Sequence, residues 1–116
     1  MIIKRAGIYL AALDPTIGHE ISKTRPVLVI SNDKNNMFSG TVTVLPITSK
    51  SLDKIYPFEV GVEKGKGNLP KDSKIKADQI RTLDKKRLIK SIGMLSEDDM
   101  VMVEKAVKIH LELGCF

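Results

Sequence analysis

Apolar and polar positions alternate in short runs along most of this chain, and a helical spacing takes over only near its end. GIYLAAL (7–13) reads as a first strand, although its Ala and Leu also suit a helix. DPTIG then marks a turn. RPVLVIS (25–31) is rich in β-branched residues and predicts a strand, with Pro26 at its beginning or on an edge because proline donates no ladder bond. NDKNNMF (32–38) suits a turn or one helical turn, and GTVTVLPIT (40–48) alternates as a half-buried strand until Pro46 interrupts it. SKSLDKIY (49–56) is a polar connection, PFEVGV (57–62) a strand, and the Gly- and Lys-rich EKGKGNLPKD (63–72) a mobile turn. SKIKADQIRTL (73–83) predicts one further strand, and DKKRLIKSIGML (84–95) a helical turn leading into a short strand.

The last segment is helical, over about 96–113. Ser96 suits the N-cap, and Glu97, Asp98 and Asp99 place acids where the helix dipole favours them. Met100, Val103, Val107, His110 and Leu111, flanked by Ala106, form an apolar stripe at helical spacing, and Gly114 is the expected stop. Five or more short strands and one C-terminal helix describe a mainly β (α+β) fold. A strongly bent sheet or barrel covered by the helix fits that order.

Composition narrows the picture. With 116 residues, the chain suits one domain, 1–116, and its 42% hydrophobic content is enough for one core. A net charge of +5 favours an anionic partner, nucleic acid first, although solubility alone accounts for such a charge equally well. Cys115 is the single cysteine, so neither an internal disulfide nor a zinc cluster is available. Lys4 and Arg5 break any secretory-type apolar run, and no stretch approaches the ~18 apolar residues of a membrane span. A cytoplasmic protein without membrane contact is expected.

Most candidate chemistry fails on spacing. Glu97, Asp98 and Asp99 point in different directions from a helix N-terminus that repels cations. His19 and Glu20 are adjacent and do not match HExxH, so no metal and no cofactor are expected. GVEKGKG lacks the GxxxxGK[ST] order of a phosphate loop, and no serine lies in a GxSxG elbow. Cys115 has no expected base beside it. Arg25 at the mouth of one strand and Thr48 at the far end of another remain. A guanidinium fork can grip two phosphate oxygens, and a hydroxyl nearby can donate to a phosphoryl oxygen. An ordinary surface arginine and a strand-end threonine are the alternative.

Beyond these residues, the chain resembles a known family. KRAGIYLAALDPTIGHEISKTRPVLVISND supplies Tyr9, Ala11, Leu13, Pro15, Gly18, Glu20, Arg25 and Pro26 of the pattern Y/W-x-A-x-L/F-x-P-x-x-G-x-E-x-x-x-x-RP-V-L-V-I. This is similar to the start of the MazF/PemK toxin endoribonucleases. VLPITS, YPFEV and ADQIRTLDKKRL extend the likeness over essentially the whole chain. Two positions depart from it. Relatives usually carry an acid where Gly7 follows Arg5 and Ala6, and they carry a small or polar residue where this chain has His19.

The resemblance implies an SH3-like curved β-barrel with a C-terminal helix, usually a homodimer. It implies metal-independent cleavage of single-stranded RNA at a short sequence, and a labile MazE-like antitoxin as protein partner. Attack by the RNA's own 2′-OH would leave 2′,3′-cyclic phosphate and 5′-OH ends. Arg25 and Thr48 match the family's catalytic pair. Because a guanidinium holds its proton, Arg25 is favoured as a charge clamp or proton donor over a base, with Thr48 orienting the phosphate. Candidate RNA contacts are Glu20 and Gln79 on base edges, Lys23 on phosphate, and Arg81 on the same strand face as Gln79. With two Tyr, three Phe and no Trp, extensive base stacking is not expected. A gyrase poison of the CcdB type and a non-catalytic RNA-binding barrel are the other classes in play. HLELGCF lacks the Trp-Gly-Ile-type terminus associated with the poison.

Overall fold

Three strands written as near-continuous apolar runs form the middle of the molecule. The computed structural model describes residues 1–114, so Cys115 lies outside the described residues. The elements are β1 (Gly7–Ala12), β2 (Thr24–Val29), α1 (Asp33–Phe38), β3 (Thr41–Thr48), β4 (Glu59–Val62), β5 (Ser73–Lys76), β6 (Arg81–Asp84), β7 (Leu88–Met94) and α2 (Glu97–Leu111). All recorded pairings are antiparallel, in the order β4-β5-β3-β2-β1-β7, with β6 also on β3. The fold class is the expected one, mainly β with a C-terminal helix, and the sheet stays open instead of closing on itself.

Burial on two faces explains the apolar runs. Val27, Val29, Val42 and Val44 join Tyr9, Ala11, Leu13, Leu83 and Leu88 on one face. The alternate residues Leu28, Leu45 and Ile47 join Ile8, Ile75 and Leu95 on the other, where α2 packs through Met100, Val103 and Ala106. The expected stripe therefore holds over its first turns only. Val107 packs against this core, but His110 and Leu111 are exposed. The helix also stops before Gly114. Glu112 takes the left-handed cap conformation (φ 56°), and Leu113 N donates to Lys108 O at 2.9 Å.

Two expectations, one strand and one turn, need correction. Residues 73–83 are not one strand: β5 gives way to a 3₁₀ turn, Ala77–Gln79, before β6 begins. The reason lies in β3, one edge of which is shared. Thr41–Val44 pair with β6, whereas Ile47 and Thr48 pair with β5, so the chain must turn a corner between them. Gln79 and Arg81 consequently do not share a strand face. Residues 63–72 are more than a loose turn. They contain a 3₁₀ turn, Lys66–Asn68, and the buried Leu69. Gly67 and Gly93 meet there so closely that a Cβ on Gly93 would lie 2.3 Å from Gly67 O, which only glycine permits.

Gly7, which stands in place of the acid, also has a packing role. A Cβ there would lie 2.6 Å from the Tyr9 ring. That ring is buried, and its hydroxyl accepts from Lys4 N at 2.9 Å and donates to Ile2 O at 3.2 Å.

Candidate active site

Arg25 and Thr48 lie near neighbouring ends of the paired strands β2 and β3. Val27, Leu28 and Val29 lie opposite Pro46, Leu45 and Val44. Extending that antiparallel register by two residues puts Arg25 across from Thr48. Pro26 and Pro46 carry no N–H, and the β2–β3 pairing ends at Val27 and Pro46. At this strand mouth lies a groove of ≈ 170 Å³, lined by Arg25, Pro26, Ile47, Ser49, Lys71 and Ser73 among others, with Thr48 set between two of its wall residues and not itself in the lining. Each residue is held from its far side as well. Arg25 pairs with Ala11 of β1, and Thr48 pairs with Lys74 of β5.

The guanidinium of Arg25 is half-buried. Its Nε donates to Ser22 O at 3.3 Å, and among the described residues it forms no ion pair. Its Nη donors remain available to an anion. The Thr48 hydroxyl accepts from Lys50 N at 3.1 Å. That bond uses an acceptor position and leaves the O–H hydrogen free to donate.

The other expected contacts belong to, or touch, a strap, residues 13–23, that joins β1 to β2. Glu20 closes on its own loop, accepting from Ile17 N at 2.9 Å through Oε1. Lys23 is exposed with φ 68°, and its backbone N–H donates to Asp14 Oδ1 at 3.1 Å. Gln79 spends both ends of its amide on the strap: Oε1 accepts from Ile21 N at 3.2 Å and Nε2 donates to His19 O at 3.1 Å. Arg81 donates to Leu13 O at 3.3 Å, and Arg87 to Ala12 O at 3.1 Å and Asp14 O at 2.6 Å. Gln79 and Arg81 thus meet the same strap from different elements, and the strap leads directly into Arg25.

Sequence reasoning passed over the ion cluster behind Thr48. Glu59 is buried and accepts from Lys74 Nζ at 3.1 Å and from Lys76 Nζ at 2.6 Å. Lys74 Nζ also donates to Ser51 O at 2.9 Å and Lys54 O at 3.1 Å. Burial alone would push the Glu59 carboxyl up, but hydrogen bonds from Lys76, Tyr56 N and Lys74 outweigh it and hold the carboxyl below its ordinary value. Burial likewise works against the Lys76 ammonium, and Glu59 and Asp78 overcome it and raise its pKa. The only signal in the sequence was the alternation of lysines in SKIK, which means little until β5 is known to pair with β4.

This arrangement, with a free guanidinium opposite a strand-end hydroxyl, sits where the sequence pattern of one family matches. The PemK-like, MazF-like toxins of type II toxin–antitoxin systems match over residues 4–111. The chain belongs to that family. It is 45% identical over 115 residues to the endoribonuclease MazF of Staphylococcus epidermidis, covering 99% of this chain and 96% of that protein. Its fold resembles crystalline MazF of Deinococcus radiodurans, with TM-score 0.84, 26% identity, and 97% and 99% of the two chains covered. A MazE–MazF complex from the same organism matches with TM-score 0.78 and 25% identity over 98% and 99%.

Proposed function

We propose that this chain is a toxin endoribonuclease that cuts single-stranded RNA, chiefly mRNA, at a short sequence. The observation that carries the reading is the half-buried Arg25 guanidinium, open to an anion in a groove whose wall includes Ile47 and Ser49, the neighbours of Thr48. The curated relative named an endoribonuclease supports it. An RNA phosphate entering the groove would meet a planar fork for two of its oxygens. The adjacent 2′-OH gives its proton to water as it attacks phosphorus, the P–O2′ bond forms, and the P–O5′ bond breaks in line. Charge gathers on the phosphoryl oxygens, where the Arg25 fork and the Thr48 O–H stabilise it. The leaving 5′ oxygen takes up a proton, with Arg25 as the candidate donor, which then regains one from water. The products are a 2′,3′-cyclic phosphate and a 5′-OH end. The step needs only a guanidinium and a hydroxyl, so no metal is assigned a role.

A MazE-like antitoxin is the expected protein partner, in keeping with the MazE–MazF structure of the Deinococcus relative. A net charge of +5 suits two anionic ligands competing for one surface. The working unit is a homodimer acting in the cytoplasm. The deciding experiment is incubation of the purified protein with a long single-stranded RNA in EDTA, followed by end mapping. Discrete cuts that leave 5′-OH ends are expected. Intact RNA, or cuts that appear only on adding a divalent metal, would sink the reading.

A further inference from the structure

We propose that Lys74 is a positioning residue for Thr48, a role that rests on the catalytic reading of Thr48. Lys74 lies directly opposite Thr48 in the β3–β5 ladder, so its backbone holds the strand end from which Thr48 projects. Its side chain, 4% exposed, then reaches the connection that follows Thr48. All three ammonium hydrogens are accounted for: Ser51 O at 2.9 Å, Lys54 O at 3.1 Å and Glu59 Oε1 at 3.1 Å. Glu59 completes the grip, because the same Oε1 accepts from Tyr56 N at 3.0 Å. The first contact matters most for Thr48. Ser51 has a left-handed backbone (φ 55°), and this tight turn carries Lys50 N back onto Thr48 Oγ1 at 3.1 Å. The turn sets which way the hydroxyl points its hydrogen, and Lys74 holds the turn.

Burying two charges is expensive, and well-packed apolar side chains often stabilise a fold as well or better. What an apolar residue cannot do is hold three acceptors in fixed directions. Geometry at the strand end is therefore the better account of this lysine than stability is. Lys74→Met tests it, since Glu59 keeps Lys76 as counter-ion and is not left unpaired.

The measurement is kcat and KM on a single-site RNA for Lys74→Met, Thr48→Ala and the double variant. Lys74→Met is expected to lower kcat by about tenfold to a hundredfold, as for a displaced reacting group, with KM within about threefold. In the Thr48→Ala background the same change should cost nothing more, because the group it positions is gone. An equal loss in both backgrounds, or unchanged kcat in Lys74→Met, overturns the proposal. If Lys74→Met does not fold, Glu59→Gln goes through the same cycle with the same criteria. Full activity in Thr48→Ala would instead refute the catalytic reading of Thr48, which keeps the two failures apart.

Discussion

Two cations flank Thr48 in opposite circumstances. On the β2 side Arg25 is half-buried and, among the described residues, has no carboxylate partner. On the β5 side Lys74 is buried, and every hydrogen on its ammonium has an acceptor. A cation held half out of water with donors unspent is set to receive an anion. One whose donors are all spent holds the chain in place. The comparison separates chemistry from scaffolding by asking what remains unsatisfied, and residue type alone does not decide it. Arg81 and Arg87 fall on the scaffolding side, since both donate to carbonyls of the strap or of the strand end that leads into it.

The largest effect should follow from removing the unspent cation. Arg25→Ala is expected to lower kcat/KM by about 10³-fold, or about 4 kcal/mol, with an unchanged melting temperature. Arg25→Lys keeps the charge and loses the fork, so it should recover only a small part of that loss. Cleavage assays on one RNA, alongside thermal melts, check both. Wild-type rates in Arg25→Ala would end the catalytic assignment.

The reverse manipulation turns a spent cation into an unspent one. Glu59→Ala leaves the buried Lys74 without its carboxylate and Lys76 with Asp78 alone, and about 3 kcal/mol of stability should be lost. Urea denaturation measures it. The pH dependence has a definite sign. The Glu59 carboxyl is held below its ordinary value of 4.5 in the fold, so its contribution is present above that value and is lost as pH falls through the lower folded one. The Lys76 ammonium is raised above its ordinary 10.5, so its contribution is complete below that value and is lost as pH rises through the higher folded one. Stability should therefore fall at both ends of the scale. Glu59→Gln should flatten the acid limb specifically, and an unchanged acid limb would remove this pair as its cause.

Gln79 is the intermediate case and shows where sequence reading ran out. An amide in a DQIRT segment looks like a reader of base edges, but both its ends are bound to the backbone of Ile21 and His19. Nothing in the sequence shows that residues 19–21 fold back over residue 79. The corner at 77–79 was hidden for the same kind of reason, since one edge of β3 must serve both β5 and β6. The elements written in local pattern were legible. RPVLV and TVTVLPIT lie in strands because alternate residues face two buried layers, and Ser96 caps α2 by accepting from Asp99 N. The place of Arg25 at the start of a strand was legible too, whereas the residues alone left its role open between an anion clamp and an ordinary surface arginine. The spent lysine was not, because its partners are distant in sequence. Gln79→Ala should free the strap at a cost of about 1–2 kcal/mol locally, seen as faster amide exchange at Ile21. Activity should fall modestly through KM. Unchanged exchange at Ile21 would show that the strap is held by other contacts.

His19 should give the smallest effect, and its size is a test of the same distinction. Only its backbone carbonyl is used, as acceptor for Gln79, and the residue is exposed on the strap. His19→Ala keeps that carbonyl, so stability should change by less than about 0.5 kcal/mol, as for most surface positions. The rate of bond cleavage at a preferred site should stay within about twofold, because no proton in the proposed step passes through the ring. What can change is the choice of site, since an exposed ring on the strap that leads into Arg25 can touch a flanking base. Mapping of cleavage ends on a mixed RNA pool, wild type against His19→Ala, separates the two. Redistributed sites at constant total rate fit a peripheral contact. A fall in rate at every site would mean that the ring takes part in the step and that Arg25 is not the only side chain the phosphate meets.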